Sequence, residues 1–288
     1  MPETRLKRFT LSEASISVGV ISGFYLGSLI TSFLGNFYIF VICSILCIIS
    51  LIYTLIRLEN IIPVKEDFQE NERRSCFSSV RTTLKAPFRK RKGHLRIKIL
   101  LLCLIFLLQE APWLLDDALM VLYTEEKFHW TATELLDFKT VFWILVNIGQ
   151  FAFFPFLKRV LSLPLMIIGA LTSVSRSCYY GLLAICSSST CLYIAAFTNC
   201  LCGVQSIIVR SSLATELPPS ELGTIFGILE IACSLVPFAV APLASWVYNI
   251  TVDVYPGTWA LLSMGAATIQ LPLFIAIYGL PVNALLKG

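Results

Sequence analysis

The stretch LLCLIFLLQEAPWLLDDALMVLY, residues 101–123, decides the class of the fold. Its apolar residues lack the alternation of a β-strand, and it exceeds the roughly 20 residues that cross about 30 Å of hydrocarbon. The rest of the chain is similar: of its 288 residues 57% are hydrophobic and 14% are charged, and the mean hydropathy is +0.79. A soluble domain is about one quarter charged. The sequence therefore predicts an all-α polytopic membrane protein.

Eight segments of the chain are long and apolar enough to be predicted as membrane spans. They are residues 11–32, 36–57, 98–123, 137–158, 162–185, 188–212, 221–248 and 258–280. Two spans precede a polar, basic segment and six follow it. This pattern divides the chain into residues 1–57, 58–97 and 98–288.

The arrangement of two and then six spans resembles part of a major facilitator transporter. In that fold, two six-helix halves face each other across a central cavity. The resemblance implies that residues 1–57 are the last two helices of the N-terminal half and that residues 58–97 are a cytoplasmic linker. Residues 98–288 would be the six-helix C-terminal half. The bundle is then expected to be truncated to about eight helices, helices five to twelve.

Basic residues predict the orientation of the chain in the membrane. Twelve of the 22 lysines and arginines lie between Arg57 and Lys98, so this segment is expected to be cytoplasmic by the positive-inside rule. Both termini are then predicted to be cytoplasmic too. The run RKRKGHLR at residues 89–96 has the pattern of a nucleic-acid patch. Beside eight spans, however, it is better interpreted as a solvated topology signal near anionic lipid, and we expect no nucleic-acid partner.

No catalytic or metal-binding motif occurs in the sequence. The two histidines, His94 and His129, fall in predicted loops, and the chain has no P-loop, no GxSxG and no CxxC. We therefore predict that the protein is not an enzyme and needs no metal or other cofactor. Most of the ten cysteines are interpreted as small apolar packing residues. Cys186 and Cys191, which flank a short predicted outside loop, could form a disulfide.

Several ionisable residues fall inside the predicted spans. Counted from the starts of their spans at about 1.5 Å per residue, Glu110 and Glu230 lie about 18 Å and about 13 Å deep. Arg176 lies further toward the outside. Such residues normally face a cavity or pair with one another, so they predict either a transport path or a structural ion pair. Asp116 and Asp117 point in different directions, so at most one of them is expected to face the path.

Glycines recur at a spacing of four in two spans. Gly19, Gly23 and Gly27 share one face of the first span, and Gly223 and Gly227 repeat the spacing in the seventh. Small residues at this spacing allow another helix to approach closely. The pattern predicts close helix packing, either as plain structure or beside a moving part of a transporter.

Four stretches share their pattern with one transporter family. They are LSEASISVGVISGFYLGSLI (11–30), LLCLIFLLQEAPWLLDDALMVLYTEEKFHW (101–130), VQSIIVRSSLATELPPSELGTIFGILE (204–230) and SWVYNITVDVYPGT (245–258). They resemble the fifth helix, the seventh helix with its following loop, the tenth and eleventh helices and the last outside loop of the proton-coupled folate transporter family, solute carrier family 46.

The resemblance implies proton-coupled symport of an organic anion or a folate-like metabolite. The proton-coupling glutamate of helix five corresponds to Glu13, and the substrate-handling arginine of helix ten corresponds to Arg210. The histidine of helix seven falls at Trp113, and two glycines of helix eight fall near Asp137 and Lys139. These departures weigh against folate itself as the solute.

The resulting hypothesis is a proton-coupled solute transporter of the plasma membrane or the lysosomal membrane. Its expected partners are a small anionic solute, protons and the lipid bilayer. The alternative is a truncated or degenerate membrane protein without transport activity of its own. The residues predicted to couple protons are Glu13, Glu110 and Glu230, and those predicted to bind substrate are Arg210, Arg176 and Asp117.

Overall fold

The computed structural model describes residues 2–57 and 94–280. These two ranges contain nine α-helices and no strand, which confirms the predicted all-α class. The helices are α1 (Pro2–Leu34), α2 (Asn36–Arg57), α3 (Leu95–Phe128), α4 (Ala132–Ile148), α5 (Leu165–Ile185), α6 (Ser189–Thr198), α7 (Val204–Glu216), α8 (Pro219–Thr251) and α9 (Thr258–Gly279). Two π-helical segments, Gly149–Phe153 and Phe156–Val160, extend α4.

Five helices in the described ranges are long and apolar enough to cross a membrane, judged by length and composition. They are Phe37–Arg57, Leu95–Phe128, Ala132–Val160, Glu221–Thr251 and Thr258–Gly279. The other three predicted spans fall short of that measure. The apolar part of α1 is only Ala14–Ile30, and α5 carries Arg176 among serines and tyrosines.

The predicted span 188–212 is not one continuous helix, and that prediction is wrong. Helix α6 ends at Thr198 and α7 begins at Val204. Between them, the N–H groups of Asn199 and Cys202 donate to carbonyl groups three residues earlier, the pattern of a 3₁₀ turn. The tighter turn keeps these backbone groups hydrogen-bonded, which an apolar environment requires.

A short turn connects the end of α3 to the start of α4. Helix α3 ends at Phe128 and is capped by His129. The φ of His129 is 55°, in the left-handed region, and its N–H donates to the carbonyl of Glu125. Thr131 then caps α4: its hydroxyl accepts from the Glu134 N–H, and its own N–H donates to the Glu134 carboxylate at 2.7 Å. This capping box makes α4 begin immediately after α3 ends.

The buried side chains form two clusters. Tyr123, Tyr179 and Trp259 belong to one, and Phe106 and Phe274 belong to the other. The Tyr123 hydroxyl donates to the Leu183 carbonyl at 2.7 Å, so its polar atom is satisfied inside the first cluster. Helix α9 packs on α3 and α5, while α1 packs on α4 and α7.

The glycine spacing did not predict where backbones approach closely. A Cβ built on Gly19, Gly23 or Gly27 would meet no atom of the described residues within 4 Å, and the same holds for Gly223 and Gly227. The close approaches lie elsewhere. A Cβ on the single glycine at position 149 would collide with the carbonyl group of the turn between α6 and α7, at residue 200.

Cys186 and Cys191 form a disulfide, which confirms the pairing that the sequence allowed. Their Cα atoms lie 5.5 Å apart. Between them, the Ser188 hydroxyl caps α6 by accepting from the Cys191 N–H at 3.4 Å. The bridge thus fixes the end of α5 to the start of α6.

Candidate functional site

A cavity of about 300 Å³ lies among α1, α3, α4, α5 and α7. This volume is at the lower end of the range for small-molecule sites. The cavity is lined by Ile16, Ser17, Gln109, Glu110, Trp113, Trp143, Val146, Gln150, Arg176, Cys202, Gly203, Ser206 and Arg210. It therefore brings together Glu110, Arg176 and Arg210, three of the residues that the sequence singled out.

Glu110 is the carboxylate that lines the cavity. It lies on α3, on which Phe106 packs into the core one turn earlier. The Gln109 side-chain Nε2 donates to Glu110 Oε1 at 3.4 Å. Within the described ranges, no cation lies within ion-pair distance of Glu110. A carboxylate that accepts only one long hydrogen bond can accept further hydrogen bonds from other donors.

Arg176 is the most deeply buried charge in the cavity. Only 7% of its surface is exposed, and its Nη1 donates to the Gln109 carbonyl at 3.3 Å. Its Nε has no hydrogen-bond partner in the described part of the chain. A buried guanidinium without an ion-pair partner is costly, because the charge is removed from water and only partly compensated. A buried polar atom without a hydrogen-bond partner is uncommon in a folded protein.

Arg210 lies at the edge of the cavity and pairs with Glu230. Its Nη2 lies 3.2 Å from Glu230 Oε1, and its guanidinium carbon lies 5.3 Å from the centroid of the Phe106 ring. The Glu230 side chain is 58% exposed and is not part of the cavity lining. An ion pair this exposed contributes little to stability, so its partners can exchange.

Trp143 and Gln150 also line the cavity, but the sequence analysis missed them. Trp143 meets Trp113 edge-to-face, with ring centroids 5.2 Å apart. Gln150 is buried, and its Oε1 accepts from the Ser17 hydroxyl at 3.4 Å. One signal was available: a glutamine within an apolar span needs hydrogen-bond partners, so it marks a polar interior.

Asp117 lies outside the cavity lining, in a cluster between the C-terminal half of α3 and the N-terminal half of α4. Lys139 Nζ lies 2.6 Å from Asp116 Oδ2 and 3.4 Å from Asp117 Oδ1. The Tyr179 hydroxyl donates to Asp116 Oδ1 at 3.2 Å. Lys139 is buried, whereas half of the Asp117 side chain is exposed. In the sequence, Lys139 stood out only as a departure from a family pattern.

The side chain of Glu13 lies outside the described part of the structure. Its backbone belongs to α1, four residues before Ser17, which lines the cavity. Residues four apart occupy one face of a helix, so Glu13 shares a register with a cavity residue.

Residues 1–242 match the family model described as Major Facilitator Superfamily. The match includes all the residues that line the cavity. No curated protein matches the chain.

Proposed function

The chain belongs to the major facilitator superfamily, a superfamily of membrane transporters, and we propose that it carries a small organic anion together with a proton. The solute binds in the cavity among α1, α3, α4, α5 and α7. Within the superfamily, the resemblance of four stretches to the proton-coupled folate transporter family favours a solute related to folate-like metabolites.

The observation that carries the proposal is the presence of two guanidinium groups, those of Arg176 and Arg210, at one small cavity. A guanidinium stays charged at any physiological pH and binds a carboxylate through two parallel hydrogen bonds. Arg176 is nearly buried and incompletely bonded, which suits a site that is completed by the solute. Asp117, half exposed and paired with Lys139, would meet the solute outside the cavity.

Proton coupling follows from the pair of Arg210 and Glu230. While Glu230 is charged it occupies Arg210 and competes with the carboxylate of the solute. A proton on Glu230 cancels that charge and releases Arg210, so proton and anion bind together. We also assign Glu110 and Glu13 to this coupling: Glu110 lines the same cavity, and Glu13 corresponds to the coupling glutamate of the resembled family.

We further propose that both termini and residues 58–97 are cytoplasmic, with residues 1–57 and 98–288 belonging to different halves of the transporter. The disulfide between Cys186 and Cys191 supports this orientation. Disulfides persist in oxidising compartments and are rare in the cytosol. The loop that carries the bridge would then face the outside of the cell or the lumen of a lysosome.

The test is proton flux in proteoliposomes that contain the full chain and a pH-sensitive dye. Folic acid, 4-aminobenzoate and benzoate are added one at a time to an acidic outside medium. We expect at least one of these anions to accelerate acidification of the lumen relative to protein-free liposomes. If a folded protein gives no anion-dependent flux with any of them, symport of a proton with a plain organic anion is refuted.

A further inference from the structure

Two opposite charges share the cavity without pairing with each other. Glu110 and Arg176 both line it, yet no ion pair joins them. Glu110 accepts one long hydrogen bond, and the Nε of Arg176 has no partner within the described ranges. Opposite charges buried in a small space would gain from direct contact, so their separation needs an explanation.

Gln109 bonds to both charges. Its backbone carbonyl accepts from Arg176 Nη1 at 3.3 Å, and its side-chain Nε2 donates to Glu110 Oε1 at 3.4 Å. One residue therefore bonds to both groups, each through a different polar atom. Glu110 and Arg176 thus line one cavity and share a neighbour, and within the described ranges no ion pair joins them.

We propose that the solute is a zwitterion with an apolar or aromatic body. Its acidic group binds Arg176, and its ammonium or a similar cationic group binds Glu110. The body lies against Trp113 and Trp143. These two side chains line the same cavity, and their ring centroids are 5.2 Å apart. This inference rests on the proposed transport function and narrows its substrate from an organic anion to one with a second, positive group.

The two charges select against simpler solutes. A solute with an acid alone satisfies Arg176 but leaves Glu110 without a partner and brings a second negative charge into the cavity. A solute with an amine alone leaves Arg176 unsatisfied in the same way. Only a solute with both groups satisfies both side chains, because a buried group left without its partner is costly. Glu110 then binds the cationic group of the solute in addition to the coupling role proposed for it above.

Three probes with one aromatic body separate these cases. They are L-phenylalanine with both charges, 3-phenylpropanoate with the acid alone and 2-phenylethylamine with the amine alone. Binding to the purified full chain is followed by quenching of tryptophan fluorescence, because Trp113 and Trp143 line the cavity. We expect L-phenylalanine to bind at least about tenfold more tightly than either analogue, since each lost charged contact is worth more than about 1.4 kcal/mol.

Two variants test which side chain binds the acidic group of the solute and which binds its cationic group. Arg176→Gln should reduce the affinity for L-phenylalanine to that for 2-phenylethylamine, and Glu110→Gln should reduce it to that for 3-phenylpropanoate. Glu125→Gln is the matched control, because Glu125 is an exposed acid on the same helix and lies outside the cavity lining. The ranking of the three probes on the unaltered protein needs no variant, so a variant that fails to fold does not prevent the test.

Equal affinities for the three probes, or no binding of any of them, would overturn the proposal. If 3-phenylpropanoate binds at least as tightly as L-phenylalanine and loses its affinity in Arg176→Gln, the zwitterion is refuted while the anion-transport function stands. L-phenylalanine is also added in the proton-flux assay, beside the plain anions. Binding of L-phenylalanine without any solute-dependent flux would refute symport and leave the zwitterion site standing, so the two proposals can fail independently.

Discussion

Lys139 Nζ lies 2.6 Å from Asp116 Oδ2 and 3.4 Å from Asp117 Oδ1, so one lysine of α4 serves two neighbouring carboxylates of α3. Lys139 and Asp116 are buried, and the Tyr179 hydroxyl completes the cluster by donating to Asp116. Asp117 is half exposed, and its carboxylate lies farther from Lys139 Nζ than that of Asp116 does. The two carboxylates therefore depend on Lys139 to different extents.

Replacing Lys139 by methionine should destabilise the fold, because Asp116 is left buried without a counter-charge. The expected loss of unfolding free energy is about 3–5 kcal/mol, the range for breaking a buried ion pair from one side. Denaturation of the purified protein in detergent measures the loss. The control is Asp117→Asn, which should cost less than about 1 kcal/mol because this pair is partly solvated. Equal losses in the two variants would show that burial of Asp116 does not govern the cluster.

The sequence predicted that the ionisable residues of the spans would pair or face a cavity, but it did not predict their partners. Glu110 and Arg176 do line one cavity. The pair of Lys139 and Asp116, 23 residues apart, depends on the register between α3 and α4. That register is set by the turn at His129 and by packing, neither of which follows from hydropathy.

Arg210→Lys should raise the Michaelis constant for an anionic solute about tenfold, equivalent to about 1.4 kcal/mol. Lysine retains the positive charge but cannot offer the planar pair of donors that binds a carboxylate. Uptake kinetics in proteoliposomes measure the change. Arg159→Lys is the control, because Arg159 is an exposed arginine in the π-helical segment Phe156–Val160 and lies outside the cavity lining. An unchanged Michaelis constant in Arg210→Lys would remove Arg210 from the solute site.

Gly149→Ala should lower the free energy of unfolding by about 1–3 kcal/mol, the usual cost of overpacking. The added methyl group would collide with the backbone carbonyl of Cys200, which cannot move as a side chain can. Gly265→Ala is the matched control, since a Cβ there meets no described atom within 4 Å. The control should be neutral or stabilising, because alanine is favoured over glycine in a helix by about 1 kcal/mol. Chemical denaturation of both variants distinguishes the two positions, and similar stabilities would contradict the packing observed at Gly149.

The glycines show why a spacing rule alone was insufficient. A Cβ added at Gly19, Gly23 or Gly27, the regular stripe, would meet no described atom within 4 Å. The close approach at Gly149 involves one isolated glycine and an irregular turn, and hydropathy predicted that turn as helix. Apolar length therefore predicted most helices, but it did not predict the turn at residues 199–203, which contributes Cys202 and Gly203 to the cavity lining.

The proposed orientation predicts which positions a membrane-impermeant thiol reagent can reach. Cys76, which lies outside the described residues, should react only after the membrane is permeabilised. A cysteine introduced as Glu126→Cys, at an exposed position near the end of α3, should react from the outside in a Cys76→Ser background. The Cys76→Ser protein without the new cysteine is the control for the native cysteines. Labelling of Cys76 in intact cells would reverse the orientation.

Glu230→Gln should weaken the pH dependence of anion uptake. Glutamine resembles the protonated acid, so Arg210 is released from its 3.2 Å ion pair at every pH. Glu110, which interacts electrostatically with Arg176, Arg210 and Glu230, is unchanged in this variant. We therefore expect the Michaelis constant at neutral pH to fall to the value that the unaltered protein reaches at acidic pH. Glu221→Gln, at the first turn of the same helix, is the control. If Glu230→Gln retains the original pH profile, the competition between Glu230 and the solute for Arg210 is refuted, and coupling must be sought at Glu13.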